Sequence, residues 1–206
     1  FRVLGGKSAE LESITSVTGM EHMNAVLDRG KGLLALVSHL GNWEWLALYM
    51  AQRLPGSAIV VKEMKSNAIN ELFINKREAL NLNVFERKGA YRQCLRGLKE
   101  NMTIGFVIDQ NMIHAEGIFV DFFDRPACTT PGLARLSCHA GTPVVPVFIH
   151  RTANGTYNIE VHPPLDPPGD NDPETIRAAT QVYSRCVEDA IREHPEQWIW
   201  IHRRWR

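Results

Sequence analysis

Four short extended runs constrain the fold more than any other feature of this chain: Leu33–Val37, Ala58–Val61, Asn83–Glu86 and Thr103–Ile108. The first is a continuous apolar run bounded by glycine, and the second follows the Pro55-Gly56 break, so both read as buried strands. Between the runs, apolar residues recur at helical spacing: Trp45, Leu46, Leu48 and Tyr49, then Ile69, Leu72, Phe73 and Leu80, then Tyr91, Cys94, Leu95 and Leu98. Strand and helix in alternation predict parallel strands joined by right-handed crossovers, with helices on both faces of the sheet.

The flanks differ. Met20, Met23, Val26 and Leu27 predict a helix that Gly30 stops. Ile118 to Phe123 is extended, and Pro131 opens a helix through Leu133, Leu136 and Cys138. Val144–Ile149 and Tyr157–Val161 flank Asn154-Gly155, which predicts a hairpin and hence an antiparallel portion near the C-terminus. Asp172-Pro173 is an N-cap and first-turn pair for a long helix with the stripe Ile176, Ala179, Tyr183, Val187, Ala190 and Ile191, ended by Pro195. No repeat, low-complexity tract or linker divides the 206 residues, which predicts a single domain.

The 23 basic and 23 acidic residues balance, which argues against nucleic acid as a partner. Cys94, Cys128, Cys138 and Cys186 show no C-x-x-C pair, so structural zinc and a disulfide framework are not expected. No run can span a bilayer and no signal peptide is visible. The chain starts at Phe1 rather than Met, as expected of a stretch from inside a longer protein. It ends His202-Arg203-Arg204-Trp205-Arg206, a tail suited to phosphate or an anionic lipid surface, or simply solvated.

Chemistry concentrates after the first buried run, in Ser38-His39-Leu40-Gly41-Asn42-Trp43-Glu44. A strand ending in histidine, followed by a turn and a helix start, presents a general base at a sheet edge. That edge is where open α/β sheets bind ligands. The corner can fold Glu44 back beside His39, so that the carboxylate holds one ring nitrogen and frees the other to take a proton. His39 and Glu44 are therefore the candidate catalytic pair. Metal ligation is not expected, because the histidines lack ligand spacing.

Two further groups surround this pair. Asp109 and Gln110 follow a buried strand and either bind substrate or hold the catalytic corner, while Gly117 permits close backbone approach. Lys62, Lys65, Arg77, Arg87 and Lys88 form a basic set. Lys62 and Arg87 follow strand ends, which in a parallel sheet lie at the edge of His39, and cations around a base suit an anionic substrate. There is no Walker loop, no G-x-G-x-x-G after the first strand and no G-x-S-x-G elbow. Without a nucleophile beside His39, direct transfer to a substrate group is favoured over a covalent enzyme intermediate. Backbone donors near Gly41 or Gly117 are candidates for stabilising an oxyanion.

With these residues the chain resembles the bacterial lipid A biosynthesis acyltransferases, the lauroyl and myristoyl transferase type within the glycerolipid acyltransferase superfamily. The matching pieces are Gly30-Lys31-Gly32, Ser38 to Glu44, Asp109-Gln110 with Gly117 and Val120-Asp121-Phe122-Phe123, Pro131-Gly132, Thr142-Pro143-Val144-Val145-Pro146, and Gln197 to Trp205. The resemblance covers nearly the whole chain. It implies a glycerolipid-acyltransferase-like α/β fold over residues 1–206 and a location at the cytoplasmic face of the inner membrane. It also implies transfer of a fatty acyl chain from acyl carrier protein or coenzyme A to a hydroxyl of a glycolipid acceptor. No bound cofactor is implied. The family's His and Glu match His39 and Glu44, and its basic residues for the acceptor match Arg77 and, less closely, Lys62 and Arg87. The family's N-terminal helical membrane segment is absent from these residues, and Ile201 stands where its tail often has an aromatic. Other acceptors (a phosphatidylinositol mannoside, a lysophospholipid, an ornithine lipid) suit the same pair. A hydrolase using water and a non-catalytic lipid or acyl-carrier binding domain are the alternatives of a different class.

Overall fold

A computed structural model of the chain describes residues 12–54, 56–61 and 66–205. The four predicted runs are strands: β2 (Leu33–Val37), β3 (Ala58–Val61), β4 (Asn83–Glu86) and β5 (Thr103–Val107). The segments between them are α2 (Trp43–Ala51), α3 (Asn67–Glu78) and α4 (Ala90–Lys99), preceded by α1 (Met20–Leu27). The predicted hairpin is β8 (Val144–Arg151) with β9 (Tyr157–Val161). It follows α5 (Gly132–Ala140), and the long predicted helix is α6 (Pro173–Glu193). Two strands were not expected from the sequence: β1 (Thr15–Thr18) at one sheet edge, and β7 (Arg125–Thr129), which pairs antiparallel with β6 (Ile118–Phe122) in a separate ribbon.

The main sheet has seven strands in the order β1-β9-β8-β2-β5-β3-β4. All neighbours are parallel except β8 and β9. This is the expected fold class: a mostly parallel sheet with an antiparallel C-terminal portion. Alternation along β2 divides the core. Leu34 and Leu36 face a cluster with Cys94, Leu136, Tyr183 and Val187 of α4, α5 and α6, while Leu33 and Ala35 face Met23, Leu46 and Met50 of α1 and α2. Of the predicted α6 stripe, Ile176, Tyr183, Val187 and Ile191 are buried, and Ala179 and Ala190 are half-buried against the same cluster. After a single 3₁₀ turn at Pro195–Gln197, the remaining residues run back across the end of β2. Among the described residues, no helix is long and apolar enough to cross a membrane.

Candidate active site

β2 is parallel to β5 with Val37 beside Val107, so His39 and Asp109, each two residues further on, leave the same edge side by side. The chain then turns sharply. Gly41 has φ +56°, and a Cβ there would lie 2.3 Å from the Ile149 carbonyl oxygen, so glycine is required on two counts. Asn42 caps α2, its side chain accepting the Trp45 N–H at 3.2 Å. The C-terminal arm fastens this corner. Gln197 O accepts the Gly41 N–H at 3.0 Å, Ile199 N–H donates to His39 O at 3.3 Å, and Leu40 bridges to Trp198.

His39 is held from beneath by Asp109, whose carboxylate accepts three N–H groups. Oδ1 accepts His39 Nδ1–H at 2.7 Å, and Oδ2 accepts the His39 backbone N–H at 2.9 Å and the Trp198 indole N–H at 2.7 Å. Asp109 is 2% exposed. Burial alone would push its carboxyl up. The hydrogen bond and charge of His39, with the Trp198 and backbone donors, outweigh burial and hold it below the usual carboxylate value. With Nδ1 protonated towards Asp109, Nε2 carries the lone pair, and it accepts the Gln110 side-chain N–H at 3.2 Å.

The expectation that Glu44 orients His39 is therefore corrected: Asp109 takes that place. Glu44 sits in the first turn of α2 and is turned towards α3, where Arg77 clasps it through Nε at 3.1 Å and Nη2 at 2.5 Å. From α2 it is the Trp43 ring that meets His39, edge-on at 5.0 Å between centroids. Of the two roles considered for Asp109, binding substrate or holding the corner, its contacts fit the second, since its oxygens are occupied by His39 and Trp198.

His39, Glu44, Arg77, Arg87 and Gln110 share one cavity of about 580 Å³. Its apolar part lies between the sheet and α2. Ala35, Gly105 and Ile59 form one row across β2, β5 and β3, and Trp43, Ala47 and Met50 cover it. Small residues at 35, 47 and 105 leave the space open, and the volume is in the range of small-molecule sites. Arg87 stands at the predicted edge and pairs with Glu116. Lys62 lies outside the described residues. Gly117 approaches Cys128 and Met112, whose atoms a Cβ would meet at 2.4 and 2.9 Å; its close contact is with β7 and the preceding loop, not with the cavity. Of the backbone donors near Gly41 and Gly117, the N–H groups of the two glycines themselves are occupied, Gly41 by Gln197 O and Gly117 by Ile113 O at 3.1 Å.

The tail is part of the site rather than a solvated end. Arg204 is 1% exposed, donating from Nη1 to Cys128 O at 2.7 Å and from Nη2 to Thr129 Oγ1 at 2.5 Å, and burial pushes its guanidinium down to about 10. His202 lines the cavity, and its Nε2 accepts the Asn111 N–H at 2.8 Å. Burial lowers its pKa, which matches the neutral ring that this bond requires. Trp198 was legible in the sequence only as part of a terminal motif, and His202 only as part of a tail suited to phosphate or a lipid surface. Among the described residues no group of three or more His, Cys, Asp or Glu could hold a metal ion.

The mostly parallel α/β sheet thus sets a carboxylate-held histidine against a largely apolar cavity. The chain belongs to the bacterial lipid A biosynthesis acyltransferase family, whose model matches residues 1–206. It is 27% identical over 195 residues to a phosphatidylinositol mannoside acyltransferase of Mycobacterium tuberculosis (strain CDC 1551 / Oshkosh), covering 92% of this chain and 59% of that protein. It is 28% identical over 194 residues to the lipid A biosynthesis lauroyltransferase of Escherichia coli (strain K12), covering 93% of this chain and 62% of that one. The chain thus spans about three-fifths of the length of these relatives. The crystal structure of the 1-acyl-sn-glycerophosphate acyltransferase PlsC from Thermotoga maritima shares the fold, with a TM-score of 0.54 at 16% identity over 96% of this chain and 80% of that one.

Proposed function

We propose that the protein transfers a fatty acyl chain from a thioester donor, acyl carrier protein or coenzyme A, to a hydroxyl of a lipid A precursor or related glycolipid. The observation that carries this reading is the His39–Asp109 pair: Nδ1 is fixed as a donor at 2.7 Å, so Nε2 is the basic nitrogen beside the cavity. Nε2 removes the acceptor hydroxyl proton as that oxygen attacks the thioester carbonyl. The tetrahedral intermediate collapses with loss of the thiolate, which takes the proton back from the imidazolium. Asp109 stabilises the imidazolium in between. Gln110, a neutral donor at Nε2, swings to the acceptor hydroxyl or the carbonyl oxygen as substrate enters. Arg77, with Glu44 fixing its guanidinium, and Arg87 line the acceptor side, and the apolar row from Ala35 to Ile59 takes the acyl chain. A phosphatidylinositol mannoside is the alternative acceptor, since relatives named for either acceptor match this chain. We place the reaction at the cytoplasmic face of the inner membrane.

The test is transfer of labelled acyl groups with and without a lipid acceptor. Acceptor-dependent transfer that His39→Ala abolishes without loss of fold is expected. Full activity of that variant ends the proposal. Acceptor-independent thioester loss marks a hydrolase, and no loss marks a binding domain.

A further inference from the structure

Charge in this chain is balanced overall but not locally. Residues 87–99 hold Arg87, Lys88, Arg92, Arg96 and Lys99 and no acidic residue. Helix geometry sorts them. Ala90, Cys94, Gly97 and Leu98 are the buried face of α4, and at about 100° per residue Arg92, Arg96 and Lys99 fall together on the opposite face, all exposed. α5 packs alongside α4, its His139 Nδ1 3.1 Å from Tyr91 Oη. It adds the exposed Arg135 and has no acidic residue. Arg96 pairs with Glu100 at 3.0 Å, a solvent-exposed contact that a competing carboxylate displaces. Lys88, Arg92, Lys99 and Arg135 take part in none of the ion pairs among the described residues.

The N-terminal end of α4 adjoins the cavity, and Arg87, Ala90, Tyr91 and Cys94 line it. We infer that the outward face of α4, carried by Arg92, Arg96 and Lys99 and extended by Lys88 and Arg135, docks an acidic carrier protein that presents the acyl thioester to His39. The inference rests on the transfer reaction proposed above, in its carrier-protein form. From Arg92 to Lys99 the row extends about 10 Å, too long for one phosphate group and suited to an acidic protein surface. A membrane-binding face would combine cations with protruding apolar side chains. Among the described residues the exposed large hydrophobics are Leu72, Tyr91, Ile113, Phe119, Val182, Trp200 and Ile201, and of these only Tyr91 belongs to α4. Rows of exposed like charge act chiefly on encounter rate and are weakened by salt.

The test is titration of the full chain with holo acyl carrier protein, alongside acyl transfer from acyl carrier protein and from acyl-coenzyme A. In the triple variant Arg92→Glu, Arg96→Glu, Lys99→Glu, carrier affinity should fall about tenfold or more. KM for the carrier-borne donor should rise similarly, while transfer from acyl-coenzyme A holds. Arg92→Ala, which removes one exposed charge, supplies the measurement if the triple variant fails to fold. Wild-type carrier affinity in the variants overturns the inference. So does lost binding to phosphatidylglycerol vesicles with carrier binding intact. If neither donor supports transfer by the wild type, the proposed reaction fails, whereas charge-sensitive carrier binding still upholds the docking face.

Discussion

Trp198 donates its indole N–H to Asp109 Oδ2 at 2.7 Å, so the carboxylate that steers His39 is itself steered by the C-terminal arm. Trp198→Phe keeps the ring packing and removes this donor. Asp109 then holds its charge less tightly and favours the imidazolium more. The acid limb of the kcat/KM profile should move to higher pH. Loss of packing alone would lower kcat and leave that limb where it is.

Asp109→Asn removes the orienting charge and permits the wrong imidazole tautomer. The expected loss in kcat is about a hundredfold to ten-thousandfold with little change in KM, measured by steady-state transfer.

The same carboxyl has a stability signature. Its folded pKa lies below the ordinary value, so on acidification the unfolded chain binds the proton first. The stabilisation is fully present above the ordinary carboxylate value and is lost as pH falls through the folded one. Thermal melts should therefore show the Tm gap between wild type and Asp109→Asn narrowing over that acid window.

Removing one member of the Glu44–Arg77 pair strands the other. The Arg77 side chain is only 8% exposed, against 23% for Glu44. Glu44→Ala should cost about 2–4 kcal/mol in denaturant unfolding, and the double variant with Arg77→Ala should recover part of it. Arg77→Ala should also raise KM for a phosphorylated acceptor.

Gly105 faces the apolar row, and a Cβ there meets Ile59 Cγ2 at an ordinary 3.4 Å, so a larger residue is tolerated by the backbone. Gly105→Leu should shorten the acyl chain preferred. A methylene denied burial is worth about 0.8 kcal/mol, about fourfold in selectivity per carbon, read by competition between donors of different length.

Much of this was legible in the primary structure because it is local. The strand–helix alternation, the Asn42 cap, the Asn154-Gly155 hairpin and the α6 stripe all depend on neighbours within a few residues. β7 was hidden by Pro126, which argues against a strand but fits a two-stranded ribbon, where each strand has an unpaired edge. β1 offers only Val17 to the core pattern, and the sheet that accepts it is built from residues far along the chain. The partner of His39 was misread for the same reason. Glu44 is five positions away in sequence, whereas Asp109 is 70 away and becomes adjacent only because β5 lies beside β2. The signal was present, since both residues stand at equal distance past a strand end, but it needs the strand order to be read.

A ribosome making this chain has released His39 and Asp109 long before Trp198 and Arg204 leave the exit tunnel. Until then the loop at Gly41 has no Gln197 to close on, and Asp109 lacks its Trp198 donor. On the proposed function, a molecule whose chain is cut before Trp198 keeps the strands of its sheet but loses the arm that fastens the corner carrying His39.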